Sequence, residues 1–173
     1  MNLTFVELDE QDIPAITAVM ARAFDHDSQR HLDVEKGGPD GYDDGRFFRK
    51  WVFSFTESRG YKVLLDDQIV GGFVVWLYDH EPNVLGTIFV DPDYQDRGIA
   101  TRAWSFIEKT HPSPRGWRLG TPGYATKNRY FYEHKCGFRK IQERATPEHG
   151  GMSLIYEKRP QTKRVGEADD GIA

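Results

Sequence analysis

The chain has 173 residues, 38% of them hydrophobic and 13% aromatic, which is enough for one core of ordinary size and too little for two comfortable domains. Charged residues make up 29% of the chain but nearly cancel to a formal net charge of -4, so no global basic field is available to hold nucleic acid or a membrane surface. The start "MNLTFVELDE" lacks the basic residues and apolar run of a secretory signal, no apolar run approaches the roughly 20 residues that span a bilayer, and the single cysteine, Cys136, has no partner for an internal disulfide; together these favour a cytoplasmic protein.

In chain order, "DIPAITAVMARAF" repeats apolar residues at Ile13, Ile16, Val19, Met20, Ala23 and Phe24, the period of a helix, with Asp9 or Asp12 available as N-cap. The following "DHDSQRHLDVEKGGPDGYDDG" has almost no apolar residues and clusters Gly and Pro, which predicts a long exposed loop. An aromatic helix around Phe47, Phe48, Trp51 and Phe55 comes next. "YKVLLDDQIVGGFVVWLYD" reads as a hairpin about the polar turn Asp66, Asp67 and Gln68. "VLGTIFV" is a third strand, and after a short turn Ile99, Ala103, Phe106 and Ile107 share one helical face until His111 and Pro112 stop the helix. "WRLGTP" is a buried strand, "TKNRYFYEHKC" a short helix closed by Gly137, and "FRKIQERAT" and "MSLIYEKR" are two more strands. Residues 160–173 are polar and Gly-containing, which predicts a flexible tail after a single domain spanning 1–159.

The chemistry concentrates in "VDPDYQDRGIATRAW". A strand that turns directly into a helix leaves backbone N–H groups unpaired and aimed at one point, with the positive end of the helix dipole behind them. Such a point binds anions, phosphates above all. Gly98 lets a bulky anion approach the backbone, Ala100 keeps the next position small, and Gln95 and Arg97 can add donors at the rim. The spacing suits a pyrophosphate. A nucleotide is disfavoured as its owner, because neither a Gly-x-x-x-x-Gly-Lys-Ser/Thr loop nor a Gly-x-Gly-x-x-Gly fingerprint occurs.

Two segments carry a resemblance. "IFVDPDYQDRGIATRAWSFIE" resembles the acyl-CoA-binding segment of the GCN5-related N-acetyltransferase (GNAT) superfamily, and "NRYFYEHKCGF" resembles that family's Asn…Phe-Tyr-Glu…Gly-Phe segment. The resemblance implies an α/β (α+β) fold with a mixed, mostly antiparallel central sheet flanked by helices, and transfer of an acetyl group from acetyl-CoA to a primary amine by direct attack. A non-catalytic module that binds or senses acyl-CoA is the alternative on the same fold. Residue by residue, Phe89 and Val90 would offer backbone groups to the pantetheine arm and the acyl carbonyl. Gln95, Asp96, Arg97, Gly98, Ile99, Ala100 and Thr101 would wrap the pyrophosphate, Asn128 would contact the cofactor from the next helix, and Tyr132 would protonate the departing thiolate. A homodimer is common among proteins of this kind.

Two positions depart from the family's pattern. Its tyrosine commonly stands four residues before the glycine, whereas Tyr132 stands five before Gly137, and one residue turns a helix by about 100°; Tyr130 and Tyr124 are the fallback acids. The strand "VLGTIFV" has no carboxylate where some members carry a glutamate, which leaves Asp79, His80 or Glu81 at the adjacent strand end, or a water relay, to deprotonate the amine. The stretch from Asp25 to Asp44 holds Asp25, Asp27, Asp33, Glu35, Asp40, Asp43 and Asp44 against Arg30 and Lys36, which would draw a cationic amine. Cys136 reads as a small buried residue at a helix end, and the histidines show no metal-ligand spacing.

Overall fold

A computed structural model describes residues 2–146 and 151–160. The elements run β1 (Leu3–Glu7), α1 (Ile13–Leu32), α2 (Arg46–Trp51), β2 (Ser58–Leu65), β3 (Gln68–Trp76), β4 (Asn83–Val90), α3 (Ile99–Thr110), β5 (Trp117–Pro122), α4 (Thr126–Tyr130), β6 (Arg139–Thr146) and β7 (Gly151–Lys158). The expected tail, apart from Pro160, lies outside the described residues. The strands form one seven-stranded sheet in the order β1-β2-β3-β4-β5-β7-β6. Every neighbouring pair is antiparallel except β4 and β5.

The sheet is covered on both faces because β3, an interior strand, is apolar on both. From β3, Phe73 and Val75 point into a core shared with Ile99, Ala103, Trp104 and Ile107 of α3, while Val74 points into a second core with Ile16, Val19 and Met20 of α1 and Phe47 and Phe48 of α2. The hairpin between β2 and β3 turns on Asp66 and Asp67, both with positive φ (48° and 69°), the geometry that keeps a two-residue turn in step with strand twist. Among the described residues, no helix is long and apolar enough to cross a membrane.

Two expectations are corrected. The stretch after Phe24 is not a loop throughout: α1 continues to Leu32, and Asp33 ends it with φ 53°. Polar contacts, invisible to an apolar period, hold this segment. Asp25 Oδ1 accepts from the Tyr42 hydroxyl at 2.5 Å and from the Gly37 N–H at 3.2 Å, and the buried Ser28 hydroxyl donates to Gly37 O. The aromatic helix is also shorter than its residues suggest; Phe55 lies beyond α2 and stacks on Trp51 with ring centroids 5.7 Å apart. One strand was not anticipated. β1 pairs with β2 from Leu3 to Glu7, and only Leu3 of its five residues is buried, too faint a pattern to read beforehand.

Candidate active site

The parallel ladder between β4 and β5 holds only at Asn83 with Trp117 and at Val84 with Arg118; beyond these the strands part. Gly86 explains the divergence. It is the extra residue of a bulge, since Thr87 and Leu85 stand opposite the consecutive Val74 and Val75, and a bulge bends the strand that carries it. Any side chain there would strike the Trp76 indole. Hydrogen bonding alternates along an antiparallel pair. Because Asp91 N–H bonds Val70 O at 2.8 Å, Phe89 also turns its backbone to β3, leaving Ile88 and Val90 facing the gap. Phe89 therefore turns its backbone away from the gap and buries its side chain, and the backbone facing the gap is that of Ile88 and Val90.

The gap opens into a cavity of about 450 Å³. Its walls are Ala23, Phe24 and Asp27 of α1, the end of β4 from Ile88 to Val90, the turn and start of α3, and Lys127, Asn128, Tyr130, Phe131, Tyr132 and Lys135 of the segment after β5. Of the residues expected at the site, Phe89, Val90, Gln95, Asp96, Gly98, Ile99, Ala100, Thr101, Asn128 and Tyr132 all line it. Arg97 does not: its guanidinium donates to Asp93 O at 3.2 Å and lies over the Tyr94 ring, 5.2 Å from the centroid.

At one end stands the start of α3. Gly98, with φ 75°, is its N-cap and offers no side-chain oxygen, so the N–H groups of Ile99, Ala100 and Thr101 have no helical or side-chain partner among the described residues. Asp96 is likewise left-handed, with φ 62°, which folds the turn back on itself. The Gln95 amide donates to Val90 O at 3.0 Å, and Lys127 Nζ lies 2.9 Å from Asp96, lowering that carboxyl below its ordinary value by hydrogen bond and charge. Beneath the turn, Asp91 is buried, accepts from Asp93 N–H at 3.1 Å, and is clamped by Arg22 of α1 through Nε at 3.0 Å and Nη2 at 2.6 Å. Sequence reasoning missed Arg22, since nothing local links it to a residue 69 positions away.

At the other end stands Tyr132. The helix α4 passes into a π-helical turn, Phe131–Lys135, in which Cys136 N–H reaches Phe131 O at 3.1 Å, before Gly137 (φ 79°) ends it. A π turn absorbs one extra residue, which is how Tyr132 faces inward despite standing five residues before the glycine. Its ring is buried among Phe131, Phe138 and Tyr156, and its hydroxyl hydrogen-bonds no described residue. Burial, with Cys136 and Asp27 adding to it, pushes the phenol's pKa far up, so it rests protonated. The fallbacks are placed differently: Tyr130 is 57% exposed at the rim, and Tyr124 is exposed and packs on His31. Asp79, His80 and Glu81 are exposed and line no part of the cavity.

Residues 21–138 match the acetyltransferase (GNAT) family. The chain belongs to that family. Its members use acetyl-CoA as cosubstrate. Over 111 residues the chain is 36% identical to the uncharacterized protein YrkN of Bacillus subtilis (strain 168), a match that takes in 64% of this chain and 60% of that protein. This GNAT chain therefore spans about 60% of the length of the curated relative it matches. Among solved structures it is similar to an acetyltransferase from Thermus thermophilus, with a TM-score of 0.71 at 17% identity over 92% of this chain and 97% of that one. The ribosomal-protein-S18-alanine N-acetyltransferase of Escherichia coli superposes with a TM-score of 0.67 at 15% identity, covering 96% of this chain and all of its own (100%). A GNAT family acetyltransferase from Elizabethkingia anophelis, solved with acetyl-CoA bound, gives 0.63 at 18% identity over 91% of this chain and 98% of that one. These likenesses establish the GNAT fold, with its mixed, mostly antiparallel sheet flanked by helices.

Proposed function

We propose that the protein transfers an acetyl group from acetyl-CoA to a primary amine of a small molecule or peptide, by direct attack. The observation that carries this reading is the pairing of two ends in one cavity: an uncapped helix start at one, and at the other a buried phenol whose hydroxyl has no partner among the described residues. The first suits a pyrophosphate, because the three free N–H groups and the helix dipole converge on it. The second suits a thiolate that must be protonated as it leaves. The cavity between them is mainly apolar, as an arm linking phosphate to thioester requires.

Acetyl-CoA, when bound, supplies the thioester carbonyl. Gln95, Asp96 and Gly98 to Thr101 would surround its pyrophosphate, and Ile88 and Val90 would offer backbone groups along the gap. Asn128 would contact it from α4. An N–H of β4 facing the gap is the donor available to the carbonyl oxygen as negative charge grows there. Tyr132 holds the proton that the sulfur takes. We read residues 1–159 as the catalytic domain and 160–173 as its tail, acting in the cytoplasm, with a homodimer as the expected assembly.

Calorimetric titration with acetyl-CoA, followed by thiol release against a panel of polyamines, aminoglycosides, amino acids and peptide N-termini, tests the reading. Saturable binding with turnover of at least one amine is the expected result. No detectable binding at millimolar acetyl-CoA would sink it, and binding without turnover across the panel would leave a non-catalytic module in its place.

A further inference from the structure

Acetyl transfer to an amine needs a base, and the cavity contains a carboxylate that no other described residue engages. Asp27 sits on α1 one turn beyond Ala23 and Phe24, so all three face the cavity together. Unlike Asp25, Asp40 and Asp44, which accept from Tyr42 or pair with Arg46, Asp27 makes no hydrogen bond or ion pair among the described residues. It is half-buried and lines the cavity with Tyr132, near enough for its charge to act on the phenol.

We infer that Asp27 receives the acceptor, pairing with its ammonium group and then taking the proton that must leave before the nitrogen can attack. The inference rests on the acetyltransferase reading and specifies its substrate class: a primary amine that arrives as a cation. The proton count closes. The ammonium gives one proton to Asp27; the neutral nitrogen forms a bond to the thioester carbon as the carbon–sulfur bond breaks. The sulfur takes the Tyr132 proton, and the nitrogen's second proton restores the phenol. Asp27 then releases its proton to solvent, so the net products are an amide, the free thiol and one proton.

The surroundings raise the pH at which this base is lost. Burial raises the Asp27 pKa, against the opposing charges of His31, His26, Lys127 and Arg30. Tyr132 from the π turn and Tyr124 from the loop before α4 face it as neutral phenols, and Lys135 also lines the cavity, while Lys127 is engaged by Asp96. A carboxyl raised in this way is a working base above its shifted pKa, and activity is lost as pH falls through it.

The test uses an amine that the wild-type protein acetylates, with Asp27→Asn and Asp27→Glu variants. Wild type should show a kcat/KM that is level with pH between the carboxyl and amine pKa values, because it binds the ammonium form. Asp27→Asn should lose about 10²- to 10³-fold in kcat at neutral pH, with kcat/KM climbing toward the amine's own pKa; Asp27→Glu should recover part of the level region. Independently of turnover, calorimetry of the amine against protein saturated with coenzyme A should weaken about tenfold or more in Asp27→Asn, while acetyl-CoA binds within twofold of wild type. An Asp27→Asn variant with the wild-type pH profile and amine affinity overturns the inference and leaves the acetyltransferase reading intact. A wild type that acetylates no amine overturns both, and weakened acetyl-CoA binding in the variant overturns the assignment to the acceptor.

Discussion

The two ends of the cavity are built in opposite ways. The end at α3 is made almost entirely by one contiguous stretch, Val90 to Thr101, and its working groups are backbone N–H groups left unpaired by helix geometry. The end at Tyr132 is assembled from α1, the end of β4 and the π turn, and its working groups are side chains whose properties come from burial. A site of the first kind is carried by local sequence and tolerates change elsewhere. A site of the second kind depends on how distant segments pack, and its chemistry can be lost by one atom.

The contrast is broken most sharply at Tyr132. Replacing it with phenylalanine removes one oxygen from a ring that keeps its packing, so folding and acetyl-CoA affinity should hold while kcat falls by about 10²- to 10³-fold. Steady-state kinetics beside calorimetry read both quantities. Because burial drives the phenol's pKa up, wild-type kcat should also show no basic limb from Tyr132 up to about pH 10, its ordinary value. Gly98→Ala should act at the other end only. An added Cβ there meets no atom within 4 Å, but φ of 75° costs alanine on the order of 1 kcal/mol, and the methyl crowds the anion's approach. The expected outcome is an acetyl-CoA Kd about tenfold weaker, a Tm lower by about 2–4 °C, and kcat unchanged at saturation.

That difference in construction also decided what could be read in the chain beforehand. The hairpin, β4, α3 and the segment after β5 announced themselves through local period and turn chemistry, and the turn from β4 into α3 through its own residues. Among the features that did not, three bear on the assembled end. The end of α1 is held by Asp25 and Ser28 hydrogen bonds rather than by an apolar stripe, so it looked like loop, and Asp27 was counted as one charge among seven instead of as a residue on the face of Phe24. The register that turns Phe89 to β3 follows from pairing with Gly72, which no local pattern specifies. The spacing of Tyr132 to Gly137 was visible as a misfit; the π turn that accommodates it is a backbone solution with no side-chain signature.

Arg22 tests whether the contiguous end is as self-sufficient as its sequence suggests. Its guanidinium is half exposed, but Asp91 beneath it is 4% exposed and would keep only the Asp93 N–H and water as partners. Arg22→Met should destabilise the protein by about 1–2 kcal/mol and weaken acetyl-CoA about threefold to fivefold by loosening the turn that Asp91 caps. Adding Asp91→Asn removes the uncompensated charge and should restore part of the stability in denaturant titration. If affinity stays at the wild-type value while stability falls, the turn needs no help from α1.

Lys127 should give the smallest effect and the most informative one, because it stands between the two ends. Its pair with Asp96 is solvent-exposed, with side-chain accessibilities of 46% and 78%, so Lys127→Met should change stability by less than about 0.5 kcal/mol. Its loss leaves Asp96 as an unbalanced negative charge on the turn proposed to hold the pyrophosphate. Acetyl-CoA affinity should therefore fall about twofold to threefold, and the loss should diminish as salt screens the exposed charges over a Debye length of about 10 Å at 0.1 M. The same lysine also opposes the raised pKa of Asp27. If the substitution instead shifts the acid limb of the rate upward and leaves acetyl-CoA binding alone, Lys127 belongs to the assembled end, and the boundary between the two constructions runs through α4 rather than along the start of α3.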